Sequence, residues 1–291
     1  MSKINSVAVI GAGTMGSGIA QLCAMHGLSV ALVETQQDFL DRGIANIRKS
    51  LDRFVKAHKI TSVDSDAALA RIRSSLSLEE AVATVDLVFE AVPEKLELKQ
   101  NIFRRISKSA ASHVIIATNT SQLSITSLAL SAERPENVIG THFFNPPVLM
   151  KLIEVIKGLK TSEETLRITL ELCERLGKEV AVCNRDTVGF ITSRAAAALR
   201  MECIRIYEEG IASIEDIDRA MRLGFNHPMG PFELADFNGL DVSLLNGLSL
   251  KEAYGERFNP PQSLRVRVNA GQLGRKTGSG WYDYHEKKKA L

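Results

Sequence analysis

A glycine-rich turn near the start of the chain constrains the fold more than any other feature. Residues 7–10 (VAVI) are an all-apolar run typical of a buried strand, and GAGTMG follows directly at residues 11–16. A helix is predicted from there to about His26, and residues 30–34 are predicted to form the second strand. Strand, turn, helix and second strand in this order are the dinucleotide-binding fingerprint in its structural context.

Each part of the turn has a physical role in such a site. Gly11 permits the tight turn, Gly13 lets the backbone approach a pyrophosphate, and Gly16 allows the helix to pack closely on the sheet. Thr14 and Met15 begin the helix, whose N-terminal N–H groups attract phosphates. An ordinary βα turn is the alternative interpretation, but the order of the surrounding elements favours a dinucleotide site.

An acidic residue at the end of the second strand favours NAD over NADP. Glu34 lies 18 residues after Gly16, where a carboxylate can accept hydrogen bonds from both ribose hydroxyls. It would repel a 2′-phosphate, and residues 35–37 (TQQ) contain no arginine to bind one. We therefore expect NAD as the cofactor.

Composition excludes several other classes of protein. The 291 residues are 45% hydrophobic and 24% charged, which is typical of a globular protein. A formal net charge of +2 is too small to indicate a nucleic-acid partner, and no apolar run approaches a transmembrane length. Four scattered cysteines without a CxxC pair argue against disulfides and a metal site. The first strand begins close to Met1, so we expect no targeting peptide and a cytoplasmic location.

Residues 1–185 alternate between strand-like and helix-like stretches, which predicts a doubly wound α/β sheet of the Rossmann type. Apolar runs typical of parallel strands occur at residues 87–92, 114–117, 138–143, 152–156 and 180–182. The predicted intervening helices cover residues 38–57, 64–75, 97–107 and 163–176.

From residue 186 to residue 291 the pattern indicates helices alone, and we predict a second, all-helical domain. Predicted helices cover residues 190–209, 213–223, 239–254 and 261–270. The first of these has more apolar surface than a small domain needs. We expect the helical domain to supply one wall of a substrate cleft. We interpret the apolar surface of its first helix as a homodimer interface, although simple core packing explains this surface equally well.

A histidine and a glutamate are the candidate catalytic pair. His142 lies at the C-terminal end of a predicted parallel strand, where open α/β sheets bind their ligands. Glu154 follows on the next apolar run, where an acid among apolar neighbours needs a partner. A carboxylate beside His142 would fix the tautomer of the ring and stabilise the imidazolium. A structural histidine and a surface glutamate are the alternative interpretation.

At this point the sequence resembles a known family, the short-chain L-3-hydroxyacyl-CoA dehydrogenases of the 3-hydroxybutyryl-CoA dehydrogenase type. The resemblance covers essentially the whole chain. Its motifs are GAGTMG at residues 11–16, NTS at 119–121, HFFNP at 142–146, MKLIEV at 150–155, HPMGPFELAD at 227–236 and GRKTGSGWY at 274–282.

The resemblance implies that His142 is the general base and that Glu154 orients it. It implies that Ser121 and Asn145 hydrogen-bond the substrate near the reacting carbon. Glu94 and Lys99 would line the nicotinamide-ribose side of the cofactor, with Asn119 as a further cofactor-binding residue.

The resemblance also implies a coenzyme A site on the basic helix after the second strand. Ser50 and Lys56 are the nearest candidates, and a charge on a solvated face is the alternative interpretation of Lys56. In the second domain, the family commonly has asparagine where this chain has Ser193. Serine can still donate one hydrogen bond to the substrate, over a shorter reach.

The resemblance implies an NAD-dependent enzyme that interconverts short-chain (S)-3-hydroxyacyl-CoA and 3-oxoacyl-CoA, with 3-hydroxybutyryl-CoA and acetoacetyl-CoA as the expected pair. A dehydrogenase of a free hydroxy or sugar acid and a non-catalytic NAD-binding protein remain alternatives. His227, in a turn-rich loop, is the rival catalytic histidine, but no acid accompanies it on a neighbouring strand.

Overall fold

The computed structural model describes residues 4–285 and divides between Thr187 and Val188 into two compact units. The first unit is built around a sheet, and the second consists of helices and short turns. The last six residues of the predicted helical domain lie outside the described range. Within that range, no helix is both long and apolar enough to cross a membrane.

Eight strands form the sheet of the first unit: β1 (Ser6–Ile10), β2 (Ser29–Val33), β3 (Ile72–Ser75), β4 (Leu87–Glu90), β5 (Ile115–Thr118), β6 (Val138–Phe143), β7 (Leu152–Lys157) and β8 (Glu179–Cys183). Their order is β3-β2-β1-β4-β5-β6-β7-β8. The first six are parallel, and their order reverses between β1 and β4, which is where doubly wound sheets bind ligands. The predicted fold class, a doubly wound sheet followed by a helical domain, is confirmed.

The direction of β7 differs from the prediction. This strand pairs antiparallel with β6, and β8 then runs parallel to β7. Residues 144–151 alone connect β6 to β7, and this connection is too short for the crossover that a parallel pair needs. The apolar runs predicted the strands correctly but not their directions.

Seven helices accompany the sheet within the described part of the first unit: α1 (Thr14–Met25), α2 (Gln37–Lys56), α3 (Ser62–Ala70), α4 (Leu78–Val82), α5 (Leu96–Ser109), α6 (Ile125–Ala129) and α7 (Glu163–Arg175). The helix predicted over residues 64–75 is too long, because residues 72–75 form β3 instead. This edge strand is only partly buried and therefore has no apolar run. The five-residue helices α4 and α6 are too short to show a helical period.

One apolar core joins the sheet to helices α1, α2, α3 and α7. Leu22 of α1 and Leu51 of α2 are buried in it with the strand residues Val9 and Phe89. The Phe89 and Phe143 rings meet edge to face at 5.7 Å between centroids. A buried side chain of this size contributes about 1.5–3 kcal/mol, so this core accounts for much of the unit's stability.

The second unit contains five α-helices within its described residues: α8 (Thr192–Glu208), α9 (Ile214–Phe225), α10 (Pro231–Asn238), α11 (Leu240–Tyr254) and α12 (Gln262–Asn269). The helix predicted from residue 190 begins two residues later, because Gly189 and Phe190 have positive φ angles of 76° and 46°. The sequence did not predict α10, whose first turn lies in a stretch rich in proline and glycine.

An aromatic cluster and a buried carboxylate organise this helical unit. The Trp281 ring lies 4.8 Å from that of Phe232 and 5.9 Å from that of Tyr207. The Asp236 carboxylate accepts hydrogen bonds from the Trp281 and Tyr282 backbone N–H groups, each at 2.9 Å. These bonds fix the segment after α12 against α10.

Candidate functional site

The glycine-rich turn between β1 and α1 is packed so closely that it excludes side chains at two positions. Gly11 has a φ of +102°, and a Cβ there would lie 2.8 Å from the Ala91 carbonyl oxygen. A Cβ on Gly16 would lie 1.8 Å from the Gly11 carbonyl oxygen. The helix therefore begins directly against the end of the strand.

The N-terminus of α1 is open to an anion. Gly13 is the N-cap residue, no side chain caps the helix, and no acid lies in the first turn that Thr14 and Met15 begin. A Cβ on Gly13 would meet no atom within 4 Å. The first-turn N–H groups thus face free space beside a partial positive charge, which suits a pyrophosphate.

Glu34 extends from the end of β2 to this turn. Its Oε2 accepts a hydrogen bond from the Ala12 N–H at 3.0 Å, and its Oε1 accepts one from the Thr35 N–H at 2.7 Å. The carboxylate is therefore positioned beside the open helix N-terminus. The residues present fit a dinucleotide with unmodified ribose hydroxyls.

The antiparallel pairing of β6 and β7 places His142 directly opposite Glu154. The His142 Nδ1 lies 2.7 Å from the Glu154 Oε2, and the His142 Nε2 lies 3.1 Å from the Ser121 Oγ. Glu154 is fully buried, and His142 is 7% exposed. The structure thus brings these three predicted residues together.

This arrangement determines what the imidazole can do. A buried carboxylate is an acceptor, so the Nδ1 is assigned as the protonated nitrogen, and the Nε2 is then the ring nitrogen whose lone pair can accept a hydrogen bond or a proton. The Ser121 hydroxyl marks where a second oxygen can approach that lone pair. A substrate hydroxyl placed there could give its proton to the Nε2, and the carboxylate would stabilise the resulting imidazolium.

The two predicted asparagines have different surroundings. The Asn119 Oδ1 accepts a hydrogen bond from the Phe143 N–H at 3.0 Å, which connects the end of β5 to β6. Asn145 is exposed, three residues after His142. Its position beside the histidine is compatible with the predicted substrate contact, which stays a prediction.

Glu94 fixes the loop that carries Ser121. Its Oε1 accepts hydrogen bonds from the Ser121 N–H at 2.9 Å and from the Thr120 hydroxyl at 2.5 Å. The Glu94 carboxylate is 39% exposed, so one face remains open to a ligand. Its predicted contact with the cofactor stays a prediction, whereas the structure shows directly that it holds the Ser121 backbone.

A buried ion pair that the sequence reasoning missed lies beneath this loop. Glu90 and Lys99 are both fully buried, and the Lys99 Nζ lies 2.7 and 2.8 Å from the two Glu90 carboxylate oxygens. The Thr118 hydroxyl and the Val92 N–H also donate to Glu90, at 2.6 and 2.7 Å. Burial raises the pKa of Glu90, whereas the Lys99 cation and these donors lower it. Because all its partners are donors, we assign Glu90 as ionised.

Lys99 links this ion pair to the site. Its Nζ also donates to the Asn119 carbonyl oxygen at 3.1 Å. Lys99 thus directs its ammonium hydrogens to protein oxygens and holds the loop that begins at Asn119. Its predicted contact with the cofactor stays a prediction. The signal for Glu90 was an acid inside an apolar strand, the same signal that identified Glu154.

A cavity of about 240 Å³ opens between α2 and the residues that follow β6. Ser50 lines it, but Lys56 does not. The other lining residues are Arg53, Phe54, Ala57, Lys59, Pro146, Val148 and Leu149. The cavity therefore combines apolar walls with two cations. Its basic residues are Arg53 and Lys59, and not the predicted Lys56.

The remaining candidates lie in the second unit. Ser193 is the second residue of α8 and is half-buried.

His227 packs near the Phe225 ring, at 5.9 Å between centroids, and no carboxylate pairs with it among residues 4–285. It therefore lacks the partner that makes His142 a candidate base. No cluster of potential metal ligands occurs within the described chain.

Comparisons with known proteins agree with this geometry. A family model described as "3-hydroxyacyl-CoA dehydrogenase, NAD binding domain" matches residues 6–187, and one described as the C-terminal domain of 3-hydroxyacyl-CoA dehydrogenase matches residues 189–284. The chain is 44% identical over 277 residues to a probable 3-hydroxybutyryl-CoA dehydrogenase of Deinococcus radiodurans, covering 95% of this chain and 99% of that one.

Two further relatives extend the similarity. The mitochondrial hydroxyacyl-coenzyme A dehydrogenase of Rattus norvegicus is 42% identical, with 97% of this chain and 91% of the relative covered. The crystal structure of (S)-3-hydroxybutyryl-CoA dehydrogenase from Ralstonia eutropha superposes with a TM-score of 0.94 at 42% identity, covering 97% of this chain and 99% of that one.

Two glycine variants should separate cofactor binding from folding. In Gly13→Ala we expect the free energy of unfolding to change by less than about 1 kcal/mol, because the methyl group meets no protein atom. The methyl group would occupy the space of the pyrophosphate, so NADH affinity should fall at least about tenfold. In the matched variant Gly16→Ala, overpacking against Gly11 should destabilise the fold by about 1–3 kcal/mol or more. Fluorescence titration and thermal unfolding measure the two effects, and unchanged NADH affinity in Gly13→Ala would contradict the assignment.

Cofactor preference should depend on Glu34. Replacing Glu34 with serine and Thr35 with arginine removes the carboxylate and adds a cation for a 2′-phosphate. We expect the ratio of kcat/KM for NADH over NADPH to fall by at least about tenfold. Thr35→Arg alone is the control, because it leaves the carboxylate in place. Equal use of both cofactors by the unmodified protein would show that Glu34 does not discriminate.

A double-mutant cycle should measure how strongly the two charges of the buried ion pair stabilise each other. Glu90→Gln or Lys99→Met alone leaves one charge buried without its partner and should destabilise the first unit by about 3–5 kcal/mol. The double variant should recover part of this loss, because no unpaired charge remains. Urea unfolding measures the three variants. Additive losses would mean that the two charges do not stabilise each other.

Proposed function

The chain belongs to the 3-hydroxyacyl-CoA dehydrogenase family, and from this premise we propose that it interconverts short-chain (S)-3-hydroxyacyl-CoA and 3-oxoacyl-CoA with NAD. The proposed substrate pair is 3-hydroxybutyryl-CoA and acetoacetyl-CoA, which the names of its relatives support. The observation that carries the proposal is the buried pair of His142 and Glu154 at 2.7 Å, beside Ser121.

In the proposed mechanism, the His142 Nε2 takes the proton of the substrate hydroxyl during oxidation and returns it during reduction. Glu154 keeps the proton of the Nδ1 in place and stabilises the imidazolium that forms. Ser121 and Asn145 orient the substrate oxygen. Bound NAD supplies the other half of the chemistry, which is acceptance of a hydride from the carbon that carries the hydroxyl.

The first unit has the groups needed to bind this cofactor. The open N-terminus of α1, with Gly11, Gly13 and Gly16, is proposed to bind the pyrophosphate, and Glu34 the adenosine ribose. Glu94, Asn119 and Lys99 surround the loop proposed to lie near the nicotinamide ribose.

Coenzyme A is proposed to use the cavity beside α2. Arg53 and Lys59 supply cations for phosphate groups, and the Ser50 hydroxyl supplies a hydrogen bond. The Lys59 ammonium also lies 5.5 Å from the centre of the Phe54 ring, so this wall offers an aromatic face. Lys56 remains a nearby charge for the same phosphates.

We also propose a homodimer formed through the helical unit. Large apolar side chains are exposed on α9, α10 and α11, including Leu223, Phe225, Phe237, Val242 and Leu245. Exposed apolar groups in this number are typical of an interface. The formal net charge of +2 is too small to favour a nucleic-acid partner. We propose neither a nucleic-acid nor a membrane partner.

A cytoplasmic location is proposed from the cysteines. Cys23, Cys173, Cys183 and Cys203 are all buried, and none of them forms a disulfide. This is typical of a reducing compartment.

The direct test is oxidation of NADH with acetoacetyl-CoA as substrate, compared with acetoacetate and with free sugar acids. Turnover of the thioester, with much weaker turnover of the free acids, is expected. Faster turnover of a free hydroxy acid would instead support a dehydrogenase of another class. Absence of turnover with every substrate, despite NADH binding, would indicate a non-catalytic protein.

Replacing the catalytic pair should abolish most turnover without loss of NADH binding. We expect His142→Gln to lower kcat by about 10²–10⁴-fold, the usual contribution of positioned acid–base catalysis. Glu154→Gln should also lower kcat, because a neutral amide cannot stabilise the imidazolium. The losses should be non-additive in the double variant, since the residues act as one unit.

His227→Gln is the matched control, and its kcat should stay within about threefold of the unmodified value. Steady-state kinetics and NADH fluorescence measure all four variants. Near-normal turnover in His142→Gln, with turnover lost in His227→Gln, would move the base to the second unit.

A further inference from the structure

A lysine of the first unit directs its ammonium group to two backbone carbonyls. Lys178 lies between α7 and β8, and its Nζ donates to the Pro147 carbonyl oxygen at 2.6 Å and to the Met150 carbonyl oxygen at 2.7 Å. Burial lowers the pKa of the Lys178 ammonium, and within the described chain no carboxylate pairs with it. Hydrogen bonds from a charged donor are stronger than neutral ones, so both carbonyls are held firmly.

The backbone of Lys178 is itself fixed on both sides. The Lys178 N–H donates to the Cys173 carbonyl oxygen at 3.0 Å, at the end of α7. The next residue, Glu179, donates its N–H to the Lys151 carbonyl oxygen at 3.0 Å, where β8 begins to pair with β7. The ammonium therefore extends from a rigid part of the unit.

Both carbonyls belong to residues 144–151, the connection between β6 and β7. Three residues of this connection, Pro146, Val148 and Leu149, line the cavity beside α2. Lys178 bonds to the residues before and after the pair Val148 and Leu149. It thus holds the stretch of backbone that forms the second wall of the cavity.

Helix α1 fixes the same connection from another side. Pro147 is buried, and a Cβ added to Gly18 of α1 would lie 2.7 Å from the Pro147 Cδ. The proline ring therefore packs against a part of α1 that has no side chain. One residue of the connection is thus held through its ring by α1 and through its carbonyl by Lys178.

Apolar burial contributes little to fixing the end of the connection. Leu149 and Met150 are 53% and 41% exposed. Their N–H groups both donate to the Pro146 carbonyl oxygen at 3.0 Å, which closes a local turn but does not tie it to the rest of the unit. The bonds from Lys178, which lies 28 residues after Met150, connect this turn to the rest of the unit.

The role of Lys178 rests on the proposed function, in which the cavity beside α2 binds coenzyme A. We propose that Lys178 is a positioning residue for the coenzyme A part of the substrate, because it holds residues 147–150 in the conformation that gives the cavity its second wall. Lys178 does not line the cavity, so it acts through the backbone of Pro147 and Met150.

The physical basis is the cost of ordering a binding wall. A segment that is already in its bound conformation loses no conformational freedom when the ligand binds. Without the ammonium, two carbonyls lose their partner and the wall has to be ordered by the ligand itself. The reaction occurs at the acyl end of the thioester, beside β6, where Asn119 fixes the Phe143 N–H. We therefore expect an effect on KM and not on kcat.

Two thioesters that share the reacting group provide the test. Acetoacetyl-CoA carries the whole coenzyme, whereas acetoacetyl-N-acetylcysteamine lacks the phosphates and the adenine. With NADH and the full chain, Lys178→Met should raise KM for acetoacetyl-CoA at least about tenfold, because two charge-assisted hydrogen bonds are lost. It should leave kcat within about threefold, and kcat/KM for the truncated thioester should also change by less than about threefold.

Two further variants control for charge and folding. Lys160→Met removes an exposed cation of the same unit and should leave KM for both thioesters unchanged. Lys178→Arg keeps the charge and can still donate to two carbonyls, but with a larger planar group. It should raise KM for acetoacetyl-CoA by a smaller factor than Lys178→Met. It also provides the test if Lys178→Met does not fold, as judged by circular dichroism and by NADH titration.

An unchanged KM for acetoacetyl-CoA in the folded Lys178 variants would overturn the positioning role and leave the proposed reaction intact. An equal loss of kcat/KM for both thioesters would also overturn it, because the effect would then lie at the reacting end. Absence of reduction of either thioester by the unmodified protein would overturn the proposed reaction itself, and with it the role of Lys178.

Discussion

The pairing of β6 with β7 is the constraint on which the candidate site depends. The short connection between the two strands forces β7 to run antiparallel to the first six strands. The resulting register sets His142 opposite Glu154, and the two side chains meet at 2.7 Å inside the sheet. A register shift of one residue would turn Glu154 to the other face of the sheet and remove the carboxylate from the imidazole.

Buried charges in this protein are tolerated where hydrogen-bond donors or opposite charges surround them. Glu90 is fully buried but accepts from Lys99, Thr118 and the Val92 N–H, so its desolvation is offset by contacts within the unit. The buried Glu154 carboxylate is likewise compensated, because it pairs with the His142 ring.

The sequence predicted features that depend on neighbouring residues and missed those that depend on tertiary pairing. The glycine turn at residues 11–16 is local, so its strand, helix and open N-terminus were predictable. The direction of β7 depends on connection length, and the edge strand β3 depends on pairing with β2, so apolar runs did not reveal them.

The geometry at His142 also depends on side chains that are distant from any reacting atom. Lys99 joins Glu90 to the Asn119 carbonyl oxygen, and the Asn119 side chain accepts from the Phe143 N–H beside the histidine. Glu94 fixes the Ser121 backbone from the other side. The 3.1 Å separation of the Ser121 Oγ from the His142 Nε2 is therefore the end of a chain of contacts that begins in α5. Such a chain holds the serine and the histidine in position before a substrate arrives, which is how a preorganised site avoids ordering its groups during the reaction.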